Sequence, residues 1–279
     1  MNKVYLVGAG PGDPQLLTLK AYEVMQRAEV IAYDALIAKQ MLDFLHERFS
    51  QHAELIPVGY RGYHQCAQKQ QIKHGIHPLV LEKAKMGLRV VRLKSGDPFI
   101  FGRGLQECQD LLASGLHFEV IPGVTAAIGA SSALRFPLTA IGISSLVTFA
   151  SGHKWPEAVE GESELRSQLQ QLAKIQGTLV LYMAFRKLEQ IFSLMIDCGF
   201  SADTPAMLVI SATTDQQQSL VANLSNLAQE ISENIESGKI DYSLPGIIII
   251  GEVVGLYQKI GKYLDTEAFT EALTEGFTV

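Results

Sequence analysis

Residues 4–21 read VYLVGAGPGDPQLLTLKA. Val4–Val7 is a short apolar run that stops at glycine, the mark of a buried strand ended by a tight turn. Beyond the turn, Leu17, Ala21, Val24, Met25 and Ala28 recur on one face at helical spacing. Asp13 is placed to cap that helix and Pro14 to take its first position. Strand, glycine turn and helix open an α/β unit, and the pattern repeats. Val30–Tyr33, Leu55–Val58, Leu88–Leu93 and Phe118–Ile121 read as further strands. Helices are expected from Pro78 to Gly87 and over Gly104–Ala113. The expectation is an α/β first domain, residues 1–121, on a largely parallel sheet.

Residues 122–134, rich in Gly, Ala and Ser, read as a helix leading into a second domain, 122–264. Strands are expected at Leu146–Ala150, Leu179–Met183, Ala206–Ile210, Ser219–Ala222 and Ile247–Ile250. Helices are expected at Glu164–Ile175, Lys187–Cys198 and Leu224–Ile235, with Gly199 and Gly238 as stops after the last two. No helical period separates the strand ending at Ile210 from the one starting at Ser219, so the two form a hairpin and the second sheet is mixed. Residues 265–279 read as a polar tail. The fold class is α/β, with two α/β domains.

A chain of 279 residues suits about two domains. With 47% hydrophobic and 19% charged residues it can build real cores, which excludes a disordered, collagenous or disulfide-scaffold protein. Twenty-three basic against 29 acidic residues leave a net charge of −6, and no run of five Lys/Arg occurs, which argues against nucleic acid as a partner. Cys66, Cys108 and Cys198 are widely spaced, and the seven histidines show no ligand spacing; a reducing compartment and no metal are expected. The apolar runs Val4–Val7 and Ile247–Ile250 are too short for a signal peptide or a membrane span, so the protein is expected to be soluble and cytoplasmic.

Three stretches carry chemistry. In GAGPGD, Gly8–Asp13, a glycine turn brings backbone N–H groups and a helix N-terminus toward a ligand. A phosphate loop would need a Lys that does not follow, and a dinucleotide fingerprint would need a third glycine where Asp13 stands. Asp34 nevertheless sits about where a ribose-binding acid would, so nicotinamide-dinucleotide binding and a plain tight turn both stay open on this stretch. In KSGDPFIFGRG, Lys94–Gly104, Asp97 can accept hydrogen bonds from a ribose or an ammonium group, and Phe99 and Phe101 can wall an aromatic ligand. The competing reading is a long surface loop. In PGVTAA, Pro122–Ala127, small side chains allow close approach of a ligand or equally close helix packing.

Together with YDALI (Tyr33–Ile37), PLT (Pro137–Thr139), VTFASGH (Val147–His153), LVLYMA (Leu179–Ala184) and IIIIGEVV (Ile247–Val254), these stretches resemble the tetrapyrrole methylases, an S-adenosylmethionine-dependent family. The matches run in order over about 250 residues. The resemblance implies two α/β domains with S-adenosyl-L-methionine folded in the cleft between them, and a homodimer. It implies C-methylation of a small-molecule tetrapyrrole, uroporphyrinogen III or, alternatively, another corrinoid precursor or a less anionic substrate. Carried over by position, the methyl donor would be held by Pro11, Gly96, Asp97, Ile100, Thr125, Ala126, Met183 and Ala212. The resemblance gives Asp34 the role of general base; otherwise Asp34 reads as a helix cap. Relatives' substrates carry eight carboxylates, for which Arg103, Arg61 and Lys20, with His64 and Lys94, are the candidate cations; a guanidinium grips a carboxylate best.

The chain departs from the family pattern in places. Relatives usually read GKR where Gly59-Tyr60-Arg61 stands; the resemblance gives that lysine a part in proton transfer or carboxylate binding, and Tyr60 takes its position with a phenol that can donate a proton, as a candidate catalytic residue, but carries no positive charge. Relatives usually read PLTHR where this chain has Pro137-Leu138-Thr139-Ala140-Ile141. The cofactor half of the pattern is nearly intact and the substrate half is eroded.

Overall fold

The computed structural model describes residues 3–58, 75–152, 162–175, 177–257 and 259. The chain divides into two compact units, Met1–Gly129 with Ser211–Asp215, and Ala130–Ile210 with Gln216–Val279.

In the first unit β1 (Lys3–Gly8), β2 (Val30–Tyr33), β3 (Glu54–Pro57), β4 (Val90–Lys94) and β5 (His117–Ile121) form one sheet of order β3-β2-β4-β1-β5. Every pairing is parallel. Parallel strands need long crossovers, here supplied by α1 (Leu19–Gln26), α2 (Lys39–Phe49), α3 (Pro78–Lys85) and α4 (Gly104–Ala113). Strand alternation sorts the core into two layers. Val7, Ile31, Val91 and Leu93 pack with Met25 of α1 and Met41, Leu45 and Phe49 of α2. Val4, Leu6, Val30 and Val90 pack on the other face with Val80 and Ala84 of α3 and Cys108 and Leu111 of α4. The largely parallel sheet expected of the first half is therefore wholly parallel and covered on both faces, as such sheets require.

Two local expectations change. Asp13 and Pro14 do not open α1; they open a short 3-10 turn, Pro14–Leu16, in which the Asp13 carboxylate accepts from the Gln15 N–H at 2.8 Å. Leu17 then turns extended, and the helix starts afresh with the Thr18 hydroxyl accepting from the Ala21 N–H at 3.1 Å. Between Asp34 and Gly59 the sequence reading assigns no helix, yet α2 forms there on a stripe of Met41, Leu45 and Phe49, all buried.

The second unit carries β6 (Val147–Ser151), β7 (Thr178–Tyr182), β8 (Pro205–Ile210), β9 (Gln218–Asn223) and β10 (Gly246–Ile250) in the order β6-β7-β10-β8-β9. Only β6 and β7 run parallel, so the sheet is mixed, and β8 and β9 pair as the expected hairpin. Helix α5 (Ala126–Ala133) fills only the latter part of the small-residue stretch. Leu169 of α6 (Glu162–Lys174), Ile191 and Met195 of α7 (Leu188–Asp197) and Leu227 and Ile231 of α8 (Leu227–Glu236) cover one face of the sheet. Gly199 and Gly238 end α7 and α8 with φ of +102° and +72°, as anticipated.

Candidate functional site

The first unit closes three loops on one another at the C-terminal edge of its sheet, where open parallel sheets bind ligands. Gly8 ends β1, Gly96 follows β4 and Gly123 follows β5. A Cβ on Gly8 would stand 2.5 Å from the Gly123 nitrogen and 2.7 Å from the Gly96 carbonyl oxygen; a Cβ on Gly123 would stand 2.3 Å from that same oxygen. No side chain fits there, so backbone packs on backbone. The Ala9 N–H donates to the Lys94 carbonyl at 2.7 Å, and Gly10 and Gly96 exchange a pair of backbone hydrogen bonds of 3.2 and 2.8 Å. Gly10 and Gly96 hold φ of +76° and +67°, a conformation only glycine adopts cheaply.

Asp97 locks the junction. One carboxylate oxygen accepts from the Gly123 N–H at 3.0 Å and the other from the Phe99 N–H at 2.9 Å. The side chain picked out for a ligand's ribose or ammonium group thus ties the second loop to the third. Thr125 faces Gly96, whose Cβ position would otherwise be open: the nearest atom is the Thr125 Cα at 4.0 Å. Ala126 begins α5, and Ile100 is 37% exposed on the second loop. Pro11 lies against Gly129 of α5, where a Cβ would come within 2.5 Å of its ring. The segment Ser211–Asp215, far along the chain, joins the same unit. There the Thr213 hydroxyl accepts from the Asp13 N–H at 3.1 Å, and Ala212 lies buried beside Gly12. Seven of the eight residues assigned to the methyl donor are therefore gathered in the first unit, around these loops. Met183, the eighth, belongs to the second unit. It stands just past the end of β7, not within the strand as expected, with φ of +56° and its side chain half exposed.

Asp34 follows β2 on the same edge, its N–H donating to the Leu93 carbonyl at 3.2 Å. Its side chain caps no helix. One carboxylate oxygen accepts from the Arg92 Nη2. Arg92 also donates through Nε to Glu107 at 3.1 Å and through Nη1 to the Leu93 carbonyl at 2.9 Å. The Lys94 ammonium stands 2.9 Å from the second Glu107 oxygen. Arg92, Lys94 and Glu107 side chains are only 4–5% exposed, against 22% for Asp34. Burial alone would raise the Asp34 pKa, but the charges of Arg92 and Lys94, the Arg92 hydrogen bond and the Arg103 charge outweigh it and hold the carboxyl below its usual value. Burial and the neighbouring Arg92 push the Lys94 ammonium down.

The candidate cations separate. Arg103, in the left-handed conformation at φ +57°, precedes α4 with its side chain exposed, beside an open concavity of about 360 Å³ walled by Phe99 and Phe101. Lys94 is spent on Glu107 inside the unit, which removes it as a surface cation. Lys20 pairs with Glu119, as does Lys3 at the far end of β1 from the loops. Tyr60, Arg61 and His64 lie outside the described residues. Sequence reasoning passed over Arg92 and Glu107. The signal was present: two cations two apart, Arg92 and Lys94, in the otherwise apolar run Val90–Lys94, an expensive pattern in a buried strand unless acids answer it.

Comparison with known proteins identifies the family. The model of the tetrapyrrole (corrin/porphyrin) methylases matches residues 3–228. A uroporphyrinogen-III C-methyltransferase of Bacillus subtilis is 36% identical over 277 residues, covering 99% of each chain. A siroheme synthase of Acinetobacter baylyi is 42% identical over 93% of this chain but 52% of its own length, so the chain spans about half of that relative. A uroporphyrin-III C-methyltransferase of Thermus thermophilus, crystallised with S-adenosylhomocysteine, superposes with a TM-score of 0.67 at 34% identity, covering 91% of this chain and 99% of that one. The chain belongs to the tetrapyrrole methylase family.

Proposed function

We propose that the protein is an S-adenosylmethionine-dependent C-methyltransferase that converts uroporphyrinogen III to precorrin-2, in the branch leading to sirohaem and cobalamin. The observation that carries this reading is the ionised Asp34 carboxylate held on the loop edge of the first unit, in a chain matched over its whole length by a relative named for that activity. The three-loop junction suits the cofactor. It offers bare backbone at Gly96, a half-buried Thr125, and Ile100 exposed as an apolar surface. Pro11, Asp97, Ala126 and Ala212 complete the set, and Met183 remains an assignment from the family pattern. When bound, S-adenosylmethionine supplies an electrophilic methyl group on a sulfonium.

The chain's own residues then have two tasks. The loops hold the reacting centres in line, an effect that can be worth ~7–11 kcal/mol of barrier. Asp34 takes the proton that must leave the macrocycle, worth ~10²–10⁴-fold. A carboxylate with a lowered pKa is a weak base, but once the ring carbon has taken the methyl group the macrocycle is cationic and its proton is acidic. We assign a substrate carboxylate to Arg103, whose exposed side chain beside the Phe99–Phe101 concavity supports the reading; Arg61 and the Tyr60 phenol are assigned by the family pattern only, and Lys20, assigned likewise, is paired with Glu119 in this structure. A second substrate, a less anionic corrinoid precursor, is favoured by one observation. Ile141, where relatives carry a basic residue, stands fully exposed on the turn Ala140–Ser144. We further propose a homodimer in the cytoplasm; Cys108 and Cys198 are unpaired thiols, as a reducing compartment keeps them.

Anaerobic incubation with uroporphyrinogen III and S-adenosylmethionine, read by mass spectrometry, tests the reaction. Mono- and dimethylated products are expected. No product, with S-adenosylhomocysteine still bound in a parallel titration, would refute this substrate. Light scattering at twice the chain mass is the result expected for the dimer.

A further inference from the structure

Four charged side chains form a chain through the first unit: Asp34, Arg92, Glu107 and Lys94. Two features set it apart from a structural ion pair. Three members are almost wholly removed from water within the apolar layer of Val90, Cys108 and Leu111, and only Asp34 reaches solvent. The Arg92 guanidinium is also tied at three points, to Glu107, to the Leu93 carbonyl and to one Asp34 oxygen. Among the described residues no hydrogen bond is made to the other Asp34 oxygen. Buried ion pairs are seldom the most stable filling for a core, so their presence needs another reason.

We propose that Glu107 and Lys94 are positioning residues for proton removal: Glu107 anchors Arg92 and balances both buried cations, so that Arg92 presents the Asp34 carboxylate ionised, with one oxygen held and the other open to substrate. The proposal rests on Asp34 being the base. The four charges sum to zero. Without the Glu107 charge the cluster carries one excess positive charge, and Arg92 loses the partner that fixes its Nε. Without the Lys94 charge the excess is negative. Among the described residues, the other charged or titratable groups facing the cluster are Arg103, ahead of α4; His77, at the start of α3, whose pKa burial and Arg92 push down; and the Cys108 thiol of α4, pushed up by burial and by Glu107.

The test uses the full chain in the anaerobic methyl-transfer assay, with S-adenosylhomocysteine calorimetry as the check on folding. Glu107→Gln is expected to lower kcat about 10- to 100-fold while KM and S-adenosylhomocysteine affinity stay within about twofold. The double variant Glu107→Gln/Lys94→Gln restores neutrality and should recover much of that loss. The acid limb of kcat should move down in Glu107→Gln and up in Lys94→Gln, by about half a pH unit or more. A merely structural role would lower both variants' stability and leave the limbs in place. Wild-type kcat in Glu107→Gln, or losses that simply add in the double variant with unmoved limbs, overturns the proposal. Should Glu107→Gln not fold, Lys94→Gln alone decides: a raised acid limb supports it and an unmoved limb refutes it. Asp34→Asn run alongside separates the two ideas. If Asp34→Asn turns over normally, the base assignment itself falls and this proposal with it. If Asp34→Asn is slow while Glu107→Gln is normal, only the positioning role falls.

Discussion

Asp34 and Asp97 show how one residue type is put to two uses by its surroundings. Asp97 accepts two backbone N–H groups and works as a loop tie. Asp97→Ala strands both donors, and we expect a loss of about 1–3 kcal/mol of stability. Calorimetry should show weaker S-adenosylhomocysteine binding; unchanged affinity would remove Asp97 from the cofactor site. Asp34 instead accepts from a buried guanidinium and keeps a partly exposed carboxylate. Asp34→Asn is expected to reduce methyl transfer by ~10²–10⁴-fold and to leave S-adenosylhomocysteine affinity near wild type. The lowered pKa also has a sign for stability. A carboxyl with a folded pKa below its unfolded value, about 3.9, stabilises the fold above that pH, and this contribution is lost as pH falls through the folded value. Denaturant unfolding from pH 7 to 3 should therefore be less acid-sensitive in Asp34→Asn, and equal slopes would contradict the shift. The family pattern names both aspartates but says nothing of how each is held. Asp34's partners lie on β4 and α4, and only folding brings them to it.

Among elements, the informative ones are the strand-ending loops. That a strand stops at glycine near residues 8, 96 and 123 is plain in the sequence. That these glycines touch one another is not, because the pairing of β4 and β5 with β1 is a tertiary fact. Gly123→Ala would drive a Cβ into the Gly96 carbonyl and the Gly8 backbone, which cannot move aside as a side chain can. Overpacking of this kind costs about 1–3 kcal/mol, and we expect thermal melting to fall accordingly and cofactor binding to be lost. Gly96→Ala has room but the wrong φ, so its cost should be only about 1–2 kcal/mol, with binding weakened rather than abolished. Should the two variants melt alike, the close packing at Gly123 would not matter as argued. Helix α2 illustrates a readable element left unread: Met41, Leu45 and Phe49 recur every four residues, but no cap marks its start, since Ala38 offers no side-chain acceptor. Conversely, the capping signal at Asp13-Pro14 was real and belonged to a 3-10 turn.

Across the molecule, the return of Ser211–Asp215 to the first unit ties positions 200 residues apart. Thr213→Val removes the hydroxyl that accepts from the Asp13 N–H; we expect about 1 kcal/mol less stability and weaker S-adenosylhomocysteine binding, with unchanged binding counting against a role for this segment at the cofactor loops. The alternation of apolar runs with helical stripes was enough to indicate two α/β halves, a largely parallel first sheet, a mixed second sheet and the hairpin of β8 and β9, because strand and helix periods are local properties of the chain; that the first sheet is wholly parallel was decided by its pairing. The long motifs were enough to assign the family. Folding alone decided which charges meet. In the sequence Arg92 and Lys94 interrupt an apolar strand run without naming a partner, and Glu107 is one polar helix residue among several; the three become a buried cluster behind Asp34 only because β4 lies at the centre of the sheet with the first turn of α4 packed over its face. Pairing energies of that kind depend on distance and desolvation, and neither exists until the sheet has closed.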